Sequence, residues 1–156
     1  MREKDTFQDF LTSVDGENRN FVQELHDELT KLGCKAEVKS AKSGYVVSYK
    51  RNQRTIANYV FRKKGLMARI YGSHIAKNAC LDELPQEMTR AIQKASVCKR
   101  LVDPADCNPK CSMGYDVILN GEHLQRCRNN AFLFLLTENS RPHVKTLLLE
   151  EARAAG

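Results

Sequence analysis

The chain has 156 residues, of which 42% are apolar and 28% charged, and its formal net charge is +6. This size and composition are typical of one globular domain, or of one domain with a small appended module. No run of 18 apolar residues is present and the first residues carry both charge signs, so we expect a cytoplasmic protein without a membrane span or signal region. The sequence has no phosphate-binding glycine loop, nucleophile elbow or dinucleotide fingerprint, so no motif indicates a reaction.

The positive charge is concentrated in one part of the chain. Residues 1–30 carry 3 basic and 8 acidic side chains, a net charge of −5, whereas residues 31–80 carry 12 basic and 1 acidic, a net charge of +11. Residues 81–156 carry 10 of each sign and are neutral. The excess positive charge therefore lies entirely in residues 31–80.

The acidic first segment has the pattern of a helix in two pieces. The pieces meet near residues 13–16, where Asp15 is a suitable N-cap for the second piece. That piece has apolar residues at spacings of four, four and three: Phe21, Leu25, Leu29 and Leu32. This spacing predicts one buried helix face, and Gly33 is expected to end the helix.

After Gly33 the apolar period changes to two, which predicts strands. Alternating apolar and polar residues indicate four of them, at 34–39, 45–50, 56–61 and 66–71. Their connections are short and polar, at 41–44, 51–54 and 63–65. We therefore expect consecutive strands to pair antiparallel as a meander, with a helix over one face.

The second half of the chain mixes helices and strands around a turn-rich segment. Its predicted elements are, in order, a helix at about 82–96, an ordered loop at 103–114, a hairpin at 115–128, a strand at 131–136 and a helix that opens with Ser140 and Pro142. Asn120-Gly121 supplies the two positive-φ positions of a type I′ turn, so Leu119 is expected opposite Glu122.

The expected fold class is α+β, an antiparallel meander sheet packed against helices and followed by a cysteine loop, a β-hairpin, a strand and a helix. We expect residues 1–97 to form the helix-and-sheet domain. Residues 98–156 are expected to form a cysteine module packed on that domain as one globular unit.

Four of the six cysteines lie within 30 residues: Cys98, Cys107, Cys111 and Cys127. The predicted hairpin register places Gly114 opposite Cys127 and so returns Cys127 to the loop that holds Cys107 and Cys111. Four thiolates that converge in this way can hold one zinc ion, with Zn–S bonds of about 2.3 Å, and a site closed by four thiolates is structural rather than hydrolytic. The alternatives are four reduced thiols, an iron–sulfur cluster or a redox-labile disulfide.

The remaining cysteines and two histidines have other expected roles. Cys34 is on the apolar phase of a strand, so we expect it in the core. Cys80 lies in a loop, where it can be a free thiol, and the sequence offers no third group that would orient His74 to form a catalytic pair with it. His123 is expected beside the hairpin turn, as a surface residue rather than a zinc ligand.

The basic residues of the predicted sheet lie at strand ends and turns: Lys50, Arg51, Arg54, Arg62, Lys63 and Lys64. Tyrosines lie on the strands between them: Tyr45, Tyr49, Tyr59 and Tyr71. Cations with interleaved aromatic side chains can bind single-stranded nucleic acid, because the rings stack on bases and the cations contact phosphates. In the alternative interpretation the tyrosines belong to the core, and the cations are solvated or compensated by the acidic N-terminal helix.

Two parts of the chain resemble known proteins. The motifs Val97-Cys-Lys-Arg-Leu101, Cys107-Asn-Pro-Lys-Cys111, Gly114-Tyr115 and Cys127-Arg128 resemble those of a group of small uncharacterised bacterial proteins with the same four-cysteine C-terminal module. The segment from Tyr45 to Tyr71 is similar to small helix-flanked antiparallel-sheet domains of the YdhG type, which are related to the frataxin-like fold. The first resemblance implies no known activity. The second implies only a fold, because frataxin-like proteins handle iron through an acidic ridge and this sheet segment is basic.

Together these patterns predict a non-enzymatic cytoplasmic binding protein with one structural zinc ion and a basic surface for an anionic partner, with nucleic acid as the leading candidate. The alternative is a thiol-based redox or metal sensor, in which oxidation of the cysteine cluster releases zinc. A third alternative is a small-ligand or enzymatic pocket between the sheet and the helices. We expect no membrane partner, and the sequence leaves the oligomeric state open.

Overall fold

The computed structural model describes residues 7–42, 44–72, 74–78, 81–95, 114–119, 121–127 and 130–155. Its helices are, in chain order, α1 (Phe7–Ser13), α2 (Gly16–Lys31), α3 (Ile75–Asn78), a 3-10 turn (Leu81–Glu83), α4 (Gln86–Lys94) and α5 (Arg141–Ala154). Its strands are β1 (Lys35–Ala41), β2 (Gly44–Arg51), β3 (Arg54–Arg62), β4 (Gly65–Ile70), β5 (Tyr115–Leu119), β6 (Glu122–Arg126) and β7 (Leu133–Leu135). The predicted α+β class is confirmed.

Five strands form one antiparallel sheet in the order β1-β2-β3-β4-β7. The first four pair in chain order, as the predicted meander requires, and β7 pairs with β4. The last strand is shorter than the predicted 131–136. The backbone N–H of Ala131 donates to the carbonyl oxygen of Cys127 at 2.8 Å, and this bond closes a turn, so the strand begins only at Leu133.

One face of the sheet is covered by helices. Because directly paired residues share a face, Val47, Tyr59, Ala68 and Phe134 form one buried row across four strands. The ring of Phe10 in α1 stacks on that of Tyr59, with centroids 5.6 Å apart. Helices α2 and α5 contact each other, and α5 contacts β3. The main core therefore lies between this face of the sheet and helices α1, α2 and α5.

The N-terminal helices follow the sequence prediction. Asp15 is the N-cap of α2, and its carboxylate accepts a hydrogen bond of 3.2 Å from the backbone N–H of Asn18. Leu25 and Leu29 on the predicted stripe are fully buried. Gly33 follows the helix with φ of 96°, a left-handed conformation that glycine adopts without strain.

The helix predicted at 82–96 is shorter and interrupted. A 3-10 turn occupies Leu81–Glu83, and α4 begins at Gln86, directly after Pro85. Proline disfavours helical geometry in the residue before it, so Leu84 does not join the turn to the helix. The four-residue α3 was not predicted, because so short a helix shows no apolar period.

Strands β5 and β6 form a separate two-stranded sheet. Leu119 pairs with Glu122 and Tyr115 pairs with Arg126, so the register predicted from Asn-Gly is confirmed. Alternate residues of β5 are buried, and Ile118 between them is 67% exposed. The hairpin therefore packs on the protein through one face only.

Helix α5 begins after Ser140 and carries proline in its first turn, as predicted. Its predicted inward residues are buried: Val144, Leu147, Leu148 and Ala152. Glu151, which is 2% exposed, accepts a hydrogen bond of 2.9 Å from the backbone N–H of His74 and so links α5 to the segment that precedes α3. Within the described ranges, no helix is both long enough and apolar enough to cross a membrane.

Candidate functional site

The six basic residues indicated by the sequence lie at opposite ends of the sheet. One group, which we call the Arg51 turn, lies at the β2–β3 connection and consists of Lys50, Arg51 and Arg54. The other, which we call the Lys64 turn, lies at the β3–β4 connection and consists of Arg62, Lys63 and Lys64. The nine residues of β3 separate the two groups by about 26 Å. The structure therefore places the six cations on two surfaces rather than one.

The Arg51 turn is bonded to the end of α5. Arg51 Nη1 donates a hydrogen bond of 2.7 Å to the carbonyl oxygen of Ala152. Asn52 Nδ2 donates one of 2.7 Å to the carbonyl oxygen of Ala155. Carbonyl groups at the end of a helix have no partner within it, so these two side chains supply the missing donors.

Lys50 and the two residues at the tip of the Arg51 turn also contribute to the fold. Lys50 Nζ lies 3.2 Å from a carboxylate oxygen of Glu37 on β1. Asn52 and Gln53 both have positive φ, 52° and 65°, which is the geometry of a type I′ hairpin turn. Arg54 is exposed. This end of the sheet thus uses most of its polar side chains to hold the fold.

The Lys64 turn lies beside a cleft between the sheet and α4. The cleft has a volume of about 330 Å³. Its charged lining consists of three cations and one carboxylate, a net charge of +2: Lys64, Arg90, Lys94 and Glu87. Its apolar lining comes from β4, β7 and α4: Met67, Met88, Ala91, Leu133, Phe134 and Leu135. A cleft between the sheet and a helix is therefore present, and the small-ligand or enzymatic pocket named as an alternative stays a prediction.

Sequence reasoning missed Arg90 and Lys94 as site residues. They are four residues apart and so share one face of α4, and both are exposed. The net charge of residues 81–156 concealed them, because acidic residues elsewhere in that segment cancel their contribution. Counting cations at helical spacing would have found the pair, but it would not have placed the pair beside Lys64.

Helix α4 is held from both of its ends. At the first turn, the hydroxyl of Thr137 lies 3.0 Å from each carboxylate oxygen of Glu87. At the last turn, Arg126 Nε donates to the carbonyl oxygen of Ile92 at 3.0 Å, and Arg126 Nη2 donates to that of Gln93 at 2.9 Å. These bonds connect α4 to the residues after β7 and to β6, and so position its cations over the cleft.

Tyr49 on β2 and Tyr59 on β3 belong to the core, whereas Tyr45 on β2 is half-buried against it. Tyr49 is 0% and Tyr59 is 1% exposed, and both lie on the sheet face that the helices cover. Burial raises the pKa of both hydroxyl groups well above the ordinary range. Tyr49 Oη forms a hydrogen bond of 3.0 Å with His26 Nδ1. The base-stacking interpretation is therefore wrong for these two side chains, because the strand alternation that made them look interleaved with lysine turns them toward the helices.

Three of the four predicted zinc ligands, Cys98, Cys107 and Cys111, lie outside the residues that the structure describes. Cys127 is described, and it is a half-buried free thiol directly after β6. The described ranges contain no group of three or more His, Cys, Asp or Glu side chains that could hold a metal ion. The four-cysteine cluster stays a prediction, with one member placed at the open end of the β5–β6 hairpin.

The other candidate residues are placed as follows. Cys34 is 5% exposed within the core, as predicted, and burial raises the pKa of its thiol. His123 lies on the exposed face of the hairpin, with Nε2 2.7 Å from Asp116 Oδ1. His74 is half-buried before α3, whereas Cys80 lies outside the described residues. None of these positions adds a residue to the cleft beside α4.

Comparison of the chain with protein-family models, with curated proteins and with solved structures gives no match. The two resemblances drawn from sequence motifs therefore stay predictions. The candidate site is the cleft beside α4. There Lys64, which the sequence indicated, lies beside Arg90 and Lys94, which it did not.

Proposed function

We propose that this protein is a non-enzymatic cytoplasmic binding protein for an anionic partner, with nucleic acid as the leading candidate. The observation that carries the proposal is the meeting of a sheet turn and a helix face, both basic, at one cleft. Lys64, Arg90 and Lys94 line this cleft, and Arg62 and Lys63 of the same turn as Lys64 add two more cations beside it. We call the five residues the basic rim: Arg62, Lys63, Lys64, Arg90 and Lys94.

The basic rim differs from the cations that form ion pairs within the protein. All five of its side chains are exposed, and none forms an ion pair with a residue in the described part of the chain. Lys145, by contrast, lies 3.2 Å from Glu28. Binding of phosphates to exposed cations releases the counterions condensed on nucleic acid, which favours association at low salt. The rim is therefore suited to contact a phosphate backbone, and it is the group of exposed cations that borders the cleft.

The proposal predicts binding that weakens steeply with salt. A labelled single-stranded oligonucleotide, followed by fluorescence anisotropy, is expected to lose affinity strongly between about 50 and 200 mM salt. In a triple variant, Lys64→Gln, Arg90→Gln and Lys94→Gln, the slope of log affinity against log salt is expected to become shallower by about two, since each phosphate contact on a single strand contributes about 0.7.

A matched control removes the same charge elsewhere. It replaces three exposed lysines with glutamine, one at the end of α2 and two on β1, the edge strand farthest from β7: Lys31, Lys35 and Lys39. This control is expected to keep the native salt slope. A flat salt response of the native protein, or an equal loss of affinity in both triple variants, would remove nucleic acid from consideration.

We further propose one structural zinc ion, bound by Cys98, Cys107, Cys111 and Cys127. Its support comes from the described residues on either side of the cysteine segment. The described chain ends at Ala95, after α4, and resumes at Gly114, before β5. Three residues of chain span at most about 11 Å, which limits the distance of Cys98 from Ala95 and of Cys111 from Gly114.

The end of α4 and the start of β5 both lie near Cys127. Tyr115, the neighbour of Gly114, pairs with Arg126 across the hairpin. The guanidinium of Arg126 also donates to the carbonyl groups of Ile92 and Gln93 at the end of α4. The end of α4, the start of β5 and Cys127 are thus neighbours. Cys98 and Cys111 are each three residues from one of the first two places in sequence, and Cys107 completes the four thiolates that a tetrahedral zinc site requires.

Elemental analysis of the purified protein tests the zinc proposal, with one equivalent of zinc per chain expected. Cys127→Ser is expected to lower this content, whereas Cys34→Ala, which alters a core thiol remote from the cluster in sequence, is expected to keep it. Absence of metal in the native protein would contradict the proposal. Zinc release upon mild peroxide treatment would instead favour the alternative function, a redox sensor.

A further inference from the structure

We infer that the cleft beside α4 receives an unstacked base, so that the partner bound by the basic rim is single-stranded nucleic acid rather than a duplex. This inference rests on the proposed function. It goes further by naming the chemical form of the partner and by assigning a role to the apolar lining, which contact with phosphates alone leaves unused.

The apolar side chains that line the cleft, which we call the apolar bed, offer a surface on which a planar nucleobase can lie. The cleft volume of about 330 Å³ is at the lower end of the range for small-ligand sites. Met67, Leu133 and Leu135 line it from the sheet and are half-buried, so their apolar surface is accessible from the cleft. Ala91 lines the facing wall on α4. Methionine sulfur makes favourable contacts with aromatic rings, and a nucleobase is the aromatic part of the proposed partner.

The cations lie on two sides of this bed. Lys64 is on the β3–β4 turn, whereas Arg90 and Lys94 are on α4, and all three line the same cleft. A strand whose phosphates contact both groups must cross the opening between them. The base of the nucleotide that bridges the two groups is then held over the apolar lining.

A paired base cannot use such a bed. In a duplex the faces of the bases are stacked on one another, and only their edges are accessible from the grooves. In a single strand a base can turn away from its neighbours and place its face on protein side chains. The apolar bed between two cationic walls therefore selects for an unpaired strand.

Three probes of equal length separate base contacts from phosphate contacts: a single-stranded oligonucleotide, an abasic strand with the same phosphates, and the duplex. The single strand is expected to bind the native protein about tenfold more tightly than the abasic strand, an effect toward the low end of that of one base stacked on an aromatic side chain, because this lining is aliphatic. This comparison uses the native protein, so it does not depend on how any variant folds.

Substitution at one position of the lining provides the second measurement. Ala91→Leu narrows the cleft, changes no charge and adds no ring on which a base could stack. Gln93→Leu places the same side chain at an exposed position of α4 that does not line the cleft, and it is the matched control. Ala91→Leu is expected to reduce affinity for the single strand about tenfold and to leave the abasic strand and the duplex unaffected. Gln93→Leu is expected to bind all three probes as the native protein does.

The outcomes distinguish this inference from the proposed function. Equal affinity of the native protein for the single strand and the abasic strand, with a steep salt dependence, would overturn the inference and leave the proposed function intact. Binding of none of the three probes would overturn both. A preference for the single strand that Ala91→Leu abolishes and Gln93→Leu keeps supports both.

Discussion

The two turns at opposite ends of β3 are alike in composition and different in use. In the Arg51 turn, Arg51 and Asn52 donate hydrogen bonds to the end of α5, and Lys50 is paired with Glu37. In the Lys64 turn, the cations are exposed and border a cleft. The difference teaches that basic residues become part of a fold where helix carbonyl groups need donors, and remain available to a partner elsewhere. Charge alone does not distinguish the two cases.

The largest expected effect comes from removing a cation that the fold uses. Arg51→Ala removes the charge-assisted hydrogen bond to the carbonyl of Ala152, so we expect the free energy of unfolding to fall by about 1–3 kcal/mol. Lys64→Ala alters an exposed side chain and is expected to stay within about 0.5 kcal/mol of the native value. Urea unfolding measures both.

The same two variants sharpen the comparison when binding is measured. Lys64→Ala is expected to weaken oligonucleotide binding. Arg51→Ala, measured without denaturant and while folded, is expected to bind as the native protein does. If Arg51→Ala were as stable as Lys64→Ala, the distinction between the two turns would be wrong.

A smaller effect on the free energy of unfolding is expected from removing the hydroxyl groups of two core tyrosines. One of these hydroxyls is hydrogen-bonded and, within the described part of the chain, the other is not, so the pair repeats the comparison of the two turns. Tyr49 Oη is bonded to His26 Nδ1, whereas Tyr59 Oη has no hydrogen-bond partner among the residues described. Tyr49→Phe is expected to lower the free energy of unfolding by about 1 kcal/mol, because it breaks that bond. Tyr59→Phe removes a buried unpaired hydroxyl and is expected to keep or raise stability. A greater loss for Tyr59→Phe than for Tyr49→Phe in urea unfolding would contradict this.

The smallest expected effect is a dependence of stability on pH. Burial lowers the pKa of His26 below its ordinary value of 6.5, although Asp27 opposes the shift. The folded state favours the neutral ring, which stacks on Phe7 with centroids 3.7 Å apart. As the pH falls, the unfolded chain binds the proton first. The contribution of His26 is therefore complete above about pH 6.5 and is lost as the pH falls through 6.5 toward the folded-state pKa.

Urea midpoints measured across this pH range test the assignment. His26→Asn keeps an acceptor within reach of Tyr49 and removes the titrating group, so it is expected to flatten the decline below pH 6.5. An unchanged pH dependence in His26→Asn would show that other groups cause it.

Much of the fold could be predicted because it follows from local geometry. The Asn120-Gly121 dipeptide defines the hairpin register, and Asp15 marks the start of α2. The helix predicted at 82–96 ran through residue 85, and this was wrong, because α4 begins only after Pro85. Its restriction of Leu84 is also local, so this error came from weighting one rule over another rather than from missing information.

The candidate site could be predicted only in part. Lys64 was indicated by the run of basic residues, but its meeting with Arg90 and Lys94 depends on where α4 lies. That placement depends on bonds between residues far apart in the chain, such as the one from Thr137 to Glu87. Spacing along a sequence carries no information about such bonds, and for this reason the cleft itself was beyond prediction.

Arg126 has a consequence for the way distant parts of the protein influence one another. It is the residue immediately before Cys127, and its guanidinium holds the last carbonyl groups of the helix that carries Arg90 and Lys94. The backbone at Cys127 is thus adjacent to a side chain that bonds α4, and its carbonyl oxygen also accepts the hydrogen bond from Ala131 that closes the following turn. The residue that follows Arg126 belongs to the proposed cysteine cluster, and the helix that Arg126 bonds carries two cations of the proposed binding surface, so the two proposed sites adjoin at this side chain.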